Sequence, residues 1–573
     1  HHDLADPFVQ SGTLHVFAIS GLHIALIAWI AVEGFRAAGL RRRWAGLTAL
    51  PLLWTYAWVT GAQPSAIRSA VMMTVVTIGW ALERPGNAAN SLCGAAVILL
   101  LWDPQQLFQP GFQLSFCVVL CLSTLSPRIH TLLEQWFQRP LLTPTPSVWR
   151  ERLGFFQRWL IGSFSVSLAA WLGSLPLIAA YFHIVNPVSL VANLIVVPLS
   201  SICLAGCAGS LLVYPFAPVL SDLFNHGSWF WMRLMMICSD WAAGIPGAWF
   251  HAPEPGWVAM ALWWAGLALC WLWPKISPIT RRYVSTSIAC GWLGVFASFV
   301  WDSMPTRLSL VPRRTGATLV VDPPGWGGVT LLDPGDIWFS PRVLVPFLRS
   351  RGINRIENLV ITHASAGAIT GASSLEKPFW VGSRHGPDGN YRSPAWRDWV
   401  KPQPGLVAHP RLHSSGQKLS SWEVLHPPRL AGSRVADDAS LVLRGDFSGV
   451  RILWIPPLSA KGQNELLRSG LDLTADIVIA QLPGRGEALL DPLLDAIQPG
   501  SIIIGDGKEI QSFSRVAALK HRLRRRPVDL FFTSESGFLE ILIRSRSFKI
   551  LASRKTTLPE STSWDGAEPN EER

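Results

Sequence analysis

"ENLVITHASAGAITGASS", residues 357–374, runs a strand into a histidine and then into a loop of small residues. That layout is common in hydrolase sites built on two metal ions. Such a loop gathers neutral imidazoles and carboxylates because two divalent ions must be held close together. His363 is present, but the residues that follow it offer no second imidazole and no carboxylate. The stretch is either part of a metalloenzyme or the shell of one joined to something else, and the rest of the chain decides which.

Composition divides the chain. It has 573 residues, 29 of them Trp, with 49% hydrophobic residues and a mean hydropathy of +0.29, a balance unusual for a soluble protein. From about residue 13 to residue 301, apolar runs of roughly 16–25 residues recur between short polar or Pro/Gly-rich breaks, the length that crosses a ~30 Å hydrocarbon layer. After Trp301 the texture turns mixed and polar. The expected organisation is a polytopic α-helical membrane domain over residues 1–302 and a soluble domain over 303–552. The tail over 553–573 has almost no apolar content and reads as disordered. The chain starts at His1 with neither Met nor a signal-like segment and reads as a fragment with sequence missing upstream.

All eight cysteines lie in the membrane half, so the soluble half is expected to hold neither disulfides nor thiolate metal sites. Cys117/Cys121 and Cys203/Cys207 are each four apart within apolar runs. That spacing suits small polarizable side chains packed between helices better than a redox or metal pair. Ten spans are expected, near 13–35, 44–61, 64–82, 88–102, 110–126, 159–182, 187–213, 225–248, 256–274 and 285–301. Basic residues then gather on one side: "FRAAGLRRR" (35–43), Arg84, the 128–158 stretch, and Lys275, Arg281 and Arg282. The positive-inside rule makes that side cytoplasmic. Ten crossings return the chain outward and place the soluble domain outside the cytoplasm, with re-entrant segments in 187–248 as the alternative to two full spans.

Polar residues at hydrophobic depth are costly unless they face protein or water. "FAISGLHIALI" (17–27) sets Ser20 and His23 on one helical face around Gly21, which serves either a close helix contact with a satisfied histidine or a polar lining. "TGAQPSAIRSAVM" (60–72) brings Arg68 about one turn inside a span opened by Pro64, either to snorkel to the interface or to line a passage for anions. "WDPQQLFQPGFQLSF" (102–116) sets Gln113 beside Pro110 and Gly111, and "VNPVSLVANLIVVPLSS" (185–201) offers Asn186 and Asn193 seven apart with Pro187 and Pro198. Broken helices at membrane depth survive only where protein or a water-filled cavity satisfies the freed backbone groups, so four such places in one bundle suggest a passage.

These segments carry a resemblance. "GTLHVFAISGLHIALI", "GAQPSAIRSAVM", "DPQQLFQPGFQLSF" and "NPVSLVANLIVVPLS" resemble, in order, the signatures of the ComEC competence-protein family. The resemblance implies a bacterial inner-membrane, multi-pass channel that passes one strand of incoming DNA during natural transformation. It also implies an oligonucleotide-binding domain upstream, and partners that include single-stranded DNA, membrane lipid, a DNA receptor, a cytoplasmic helicase-like ATPase, a separate nuclease and further copies of the chain. The channel-lining candidates are Ser20, Gly21, His23, Arg68, Gln113 and Asn193.

The soluble half resembles the domain that ends many members of that family, an α/β αββα sandwich of the metallo-β-lactamase-like type. Strands "RLSLV", "ATLVV" and "GVTLLD", helix "PRVLVPFLRSRG", and strands "ENLVITH", "WEVLHPP", "ASLVLRGD" and "VRILWI" fit two packed sheets flanked by helices. The family's loop reads His-x-His-x-Asp-His; here the frame is His363, Ala364, Ser365, Ala366, Gly367, Ala368. Where the family has Thr-Gly-Asp this chain has Ile455, Pro456 and Pro457, and where it has Pro-His-His-Gly this chain has Pro483, Gly484, Arg485 and Gly486. Asp333 of "LLDPGD" is retained and reads as structural. The vestigial positions are Asp333 and His363. One histidine falls short of the three or four protein ligands that zinc takes, so no metal, no cofactor and no catalytic residue are expected.

His409 and His413 are four apart, but Pro410 and the surrounding Gly and Ser residues predict a loop, and His426 stands alone at a strand end. "ALKHRLRRRP" (518–527) predicts a basic helix whose Arg522, Arg524, Arg525 and Arg526 serve either as phosphate contacts or as a solvated helix end. The net charge of +11 fits a nucleic-acid partner and positive-inside loops equally. The expected function is a DNA-uptake channel with an inactive extracytoplasmic hydrolase-like domain. Its rivals are a membrane-anchored metal-dependent nuclease or hydrolase and a diverged membrane transporter that does not act on DNA.

Overall fold

A computed structural model describes residues 6–17, 21–83, 88–137, 148–325, 327–376, 378–389, 391–401, 409–429, 435–484, 486–507 and 513–554. Ser20, Arg485 and the tail beyond 554 lie outside the described residues. The chain separates into two compact units, His1–Trp292 and Leu293–Arg573.

The first unit is helical. Short helices α1 (Asp6–Gln10) and α2 (Leu14–Phe17) precede α3 (Gly21–Ala37), α4 (Arg42–Val59), α5 (Pro64–Ala81), α6 (Ala88–Trp102), α7 (Pro110–Thr124), α8 (Ser126–Phe137) and α9 (Val148–Phe182). The two-residue strands β1 (Ile184–Val185) and β2 (Phe250–His251) pair antiparallel and bracket α10 (Ser189–Val213) and α11 (Pro218–Ala243). Helices α12 (Trp257–Leu272) and α13 (Pro278–Asp302) follow. Proline opens α5, α7 and α11 in the first turn, where its missing N–H has no intrahelical acceptor to lose.

Among the described residues, four helices are long and apolar enough to cross a membrane: Gly154–Phe182, Ser189–Val213, Trp257–Lys275 and Pro278–Asp302. The pair α7 and α8, bent by 40°, makes a fifth if it counts as one span. Ten were expected. The difference lies mainly in α3 to α6, which run to 15–18 residues, and in α11, which is long but carries Asp222, Arg233 and Asp240.

Burial in this unit is inverted relative to a water-soluble bundle. Small residues fill the contacts, with Ala45, Ala57, Ala66, Ala70 and Ala95 fully buried, while Trp102 and Phe216 are each 88% exposed. Large apolar side chains turned outward fit a lipid solvent, where packing of small residues brings helices together. The cysteines follow this rule. Cys117 Sγ donates to Gly173 O at 3.2 Å, and a Cβ at Gly173 would stand 2.6 Å from Cys121 Sγ. Between α10 and α11, Ser228 Oγ donates to Cys203 O at 3.3 Å and Ser210 Oγ meets Ser221 Oγ at 2.8 Å. A Cβ at Gly206 would stand 2.3 Å from Ser228 Oγ. Gly206→Ala is expected to cost about 1 kcal/mol by overpacking this seam, read as a lower thermal midpoint of the detergent-solubilised chain.

The second unit holds two mixed sheets. Strands β3 (Thr306–Arg313), β4 (Gly316–Asp322) and β5 (Val329–Leu332) run antiparallel to one another. After α14 (Val345–Ser350), β6 (Arg355–Val360) joins β5 in parallel. Helix α15 (Ala366–Ile369), β7 (Trp380–Pro387), α16 (Pro394–Val400) and β8 (Arg411–His413) continue that half. Strands β9 (Lys418–Leu419), β10 (Trp422–His426), β11 (Val442–Phe447) and β12 (Val450–Ile455) build the antiparallel half of the second sheet. Alternating α17 (Ala460–Arg468), β13 (Ile477–Gln481), α18 (Asp491–Ile497), β14 (Ser501–Gly505), α19 (Phe513–Leu523) and β15 (Asp529–Phe532) complete it in parallel. After α20 (Thr533–Ser536), β16 (Leu539–Arg544) and β17 (Ser547–Ala552) return to the first sheet, where β16 pairs with β3.

The sheet orders are β17-β16-β3-β4-β5-β6-β7-β8 and β15-β14-β13-β12-β11-β10-β9. Leu308, Leu310, Leu319, Trp422, Trp454 and Ile503 come from both sheets and share one core. Leu344, Leu348, Ile369, Trp396 and Trp399 cover the other face of the first sheet, and Leu466, Leu493, Leu494, Leu519 and Leu523 that of the second. The layers are therefore helix, sheet, sheet, helix, and the parallel strands are apolar on both faces as such burial requires. Two expectations fail locally. Residues 411–413 form a short edge strand, β8, where a loop was predicted, because pairing with β7 satisfies their backbone despite Pro410. The basic helix stops at Leu523, so Arg524, Arg525 and Arg526 lie in the turn beyond it, ahead of Pro527, which disfavours helix in the residue before it.

Candidate functional site

The loop after β6 is tied down on three sides. Asp333 ends β5 with φ +54°, and its buried carboxylate accepts Thr362 N at 2.7 Å and Thr362 Oγ1 at 2.5 Å. Burial pushes the Asp333 carboxyl up, while Arg313 and the Thr362 bonds pull it back. Trp454 Nε1 adds a bond to Thr362 Oγ1 at 3.2 Å from the facing sheet. Asp333 thus fixes the entry to the loop.

His363 follows directly. Its Nε2 lies 2.8 Å from Asp437 Oδ1, and Asp437 Oδ2 accepts Gly484 N at 3.0 Å. Burial alone would raise the Asp437 carboxyl, but the bonds from His363 and Gly484 outweigh it and hold the group below the usual carboxylate range. A carboxylate partner for His363 was not seen from sequence, because Asp437 lies 74 residues away. Gly484 stands where the resemblance would put an imidazole.

Arg313 was also missed. It ends β3 at 8% exposure and sends Nη1 to Gly367 O at 2.9 Å and Nη2 to Gln481 Oε1 at 3.1 Å. Gln481 Nε2 in turn donates to Ala317 O at 2.9 Å. A guanidinium therefore anchors the same loop whose ligand frame is His363 to Ala368. The ligand-type side chains here are His363 and Asp437, bonded to one another, with a buried cation beside the loop; a zinc site takes three or four protein ligands. Among the described residues no group of three or more His, Cys, Asp or Glu could hold a metal ion.

The sheet edge holds a second polar row. Ser383 Oγ meets His385 Nε2 at 2.7 Å, His385 Nδ1 meets His413 Nε2 at 2.9 Å, and His413 Nδ1 meets Gln417 Oε1 at 3.1 Å. The Gln417 oxygen only accepts, so His413 carries its proton on Nδ1 and His385 donates from Nδ1, while Ser383 Oγ donates to Glu357 O at 3.1 Å and Asn358 Oδ1 at 3.0 Å. Burial, then His413 and Arg411, push His385 down to about 4. His426 Nδ1 lies 2.9 Å from Ser440 O and its Nε2 3.7 Å from Glu465, so it is held within the fold.

Two arginines of the basic segment are engaged. Arg522 pairs with Asp491 at 2.9 Å, and Arg526 pairs with Asp491 at 2.9 Å and Asp495 at 2.7 Å. Arg524 and Arg525 are exposed, with no ion pair among the described residues.

In the helical unit, Gly21 opens α3, and a Cβ there would stand 2.9 Å from Ser69 Oγ on α5. Its neighbour His23 is partly buried on the same helix. Gln113 is satisfied by packing: Nε2 donates to Leu107 O at 2.9 Å and Oε1 accepts Tyr181 Oη at 2.8 Å. Among the described residues, Asn193 keeps a buried Oδ1 without a hydrogen-bond partner on α10. Arg68 is 5% exposed, which removes the snorkelling reading, and its guanidinium packs against Gly111 of α7. Arg68 thus meets Gly111 and Ser69 meets Gly21, whereas Gln113 turns toward α9.

Several helices long and apolar enough to cross a bilayer, followed by a sheet-rich α/β region, define a membrane protein with a substantial non-membrane part. The family model described as Competence protein matches residues 1–276 of the chain. It is 24% identical to ComE operon protein 3 of Bacillus subtilis (strain 168), over 94% of this chain and 69% of that protein. It is 23% identical to the uncharacterized protein YcaI of Escherichia coli (strain K12), over 96% and 69%, and 23% identical to competence protein ComA of Neisseria gonorrhoeae, over 93% and 71%. These likenesses run through both units.

Proposed function

We propose that this chain is an inner-membrane channel that takes up single-stranded DNA during natural transformation. The observation that carries the reading is the competence-family match over residues 1–276, the unit that also holds Arg68 and Asn193 at buried positions. The sheet-rich unit is a metallo-β-lactamase-like domain that works without metal chemistry. The replaced ligand positions support this, as does the buried Arg313 guanidinium on the loop where ions would sit. That unit lies outside the cytoplasm and guides or gates the strand. A DNA receptor, a cytoplasmic helicase-like ATPase and a separate nuclease supply capture, energy and removal of the second strand.

The test is import of fluorescent DNA by cells with and without the gene, scored as label protected from external nuclease. Deletion should abolish protected label, and both the intact gene and His363→Ala should restore it. Unchanged import on deletion sinks the uptake reading. Failure of His363→Ala at normal protein abundance sinks the metal-free reading of the second unit and revives the nuclease.

A further inference from the structure

Arg68 is the fifth residue of α5, and Gly111 is the second residue of α7. A Cβ at Gly111 would stand 3.0 Å from Arg68 Nη2 and 3.6 Å from both Cζ and Nη1, so the guanidinium lies against the first turn of α7. That contact sets the N-terminal turns of α5 and α7 side by side. Both turns open with proline, and neither Gln63 nor Gln109 caps its helix through the side chain. Each helix start therefore presents about half a positive charge.

The guanidinium adds a full positive charge at the same spot. Among the described residues Arg68 makes no hydrogen bond and no ion pair, and its Nε is buried without a partner. The carboxylates of this unit with ion pairs serve other cations: Glu33 holds Arg36, Glu83 holds Arg43 and Glu134 faces His130. Three like charges in a low-dielectric interior repel one another and lack solvation, and an anion between them would relieve both costs.

We infer that Arg68 and the paired N-terminal turns of α5 and α7 form an anion site that takes one phosphodiester of a single DNA strand, with Gly111 leaving room for the guanidinium to lie against the start of α7. This rests on the uptake reading and deepens it: the strand is held by its backbone, without regard to sequence. Arg68 is 5% exposed, so it faces protein and not the lipid surface. That favours a threaded strand over a lipid headgroup.

The experiment uses the full chain in two settings. In cells, Arg68→Gln and Gly111→Val should each lower nuclease-protected label at least about tenfold at unchanged membrane abundance, while Arg68→Lys keeps part of it. In phosphatidylcholine nanodiscs, fluorescein-labelled oligothymidylate should bind Arg68→Gln more weakly, with a salt slope shallower by about 0.7, the value for one lost phosphate contact on a single strand. If Arg68→Gln fails to reach the membrane, Arg68→Lys and Gly111→Val read the same site. Parent-like import and binding in the variants overturn the inference while leaving the uptake reading intact. Loss of import with an unchanged salt slope and a lost co-purifying anionic phospholipid assigns the site to lipid and also overturns it. A parent chain that neither imports nor binds the oligonucleotide defeats the uptake reading itself.

Discussion

Arg313→Met is expected to destabilise the sheet-rich unit by about 3–5 kcal/mol, the usual cost of removing one partner from a buried charged network. Methionine keeps the length of the side chain and fills the volume, so the loss reports charge and hydrogen bonds and little cavity. Without the guanidinium, Gly367 O and Gln481 Oε1 lose their donors inside the fold. Asp333 loses the cation that most opposes its desolvation, so its carboxyl moves further up and its grip on Thr362 weakens. Arg313→Lys keeps the charge without the planar fork and should fall between the two. The measurement is the urea midpoint for proteolysis of this unit in the detergent-solubilised chain, followed with an antibody to the unit. A loss under about 1 kcal/mol for Arg313→Met would show that the loop is held by Asp333 and Thr362 alone.

Why the sequence hides this network follows from its geometry. Strands β3 to β6 and β10 to β12 read directly, because runs such as "RLSLV", "ENLVITH" and "VRILWI" are β-branched and apolar and are bounded by Gly, Pro or charged residues. The loop after β6 could be placed by counting from His363. Its partners could not: Asp437 reaches His363 across 74 residues and Gln481 reaches Arg313 across 168. No local pattern marks a residue that will meet another only after two sheets have packed. Arg313 in "VPRRTGA" looks like one of two turn arginines, and only the fold separates the buried one from its neighbour.

The helical unit shows the opposite limit. Apolar runs announce a membrane protein, and the small residues that pack it are visible as Ala, Gly, Ser and Cys at helical spacing. Counting spans is harder, because an apolar run of 15–18 residues is the same text whether it crosses alone or stacks beside a longer helix. Arg68 illustrates the gain from structure: snorkelling and an inward position are equivalent in sequence, and 5% exposure with a neighbour at Gly111 decides between them.

Acidification from pH 7 to about 4.5 is expected to weaken the β7–β8 edge by about 2 kcal/mol through His385. The sign follows from proton counting. Folded, the imidazole is held down to about 4 by burial and by His413 and Arg411; unfolded, it returns to the ordinary value near 6.5. Between those values the unfolded chain binds a proton that the folded chain does not, so the stabilisation is fully present above about 6.5 and is lost as pH falls toward 4. The full difference corresponds to about 3 kcal/mol, and partial solvent access at the edge lowers it to about 2 kcal/mol. The physical event is specific: a second proton on the His385 imidazole sets a charge against His413, which is itself held down by burial. Other groups titrate nearby in pH with different signs. Asp437, held low by His363, loses its contribution only as pH falls below the ordinary aspartate range, whereas Asp333, raised by burial, gains on protonation. His385→Asn isolates the effect, because the variant keeps a polar side chain but cannot titrate. The difference in urea midpoint between parent and variant should change by about 2 kcal/mol between pH 7 and pH 4.5, with most of the change between pH 6.5 and about 4.5. A constant difference across that window would mean that the His385–His413 pair accepts the proton without strain.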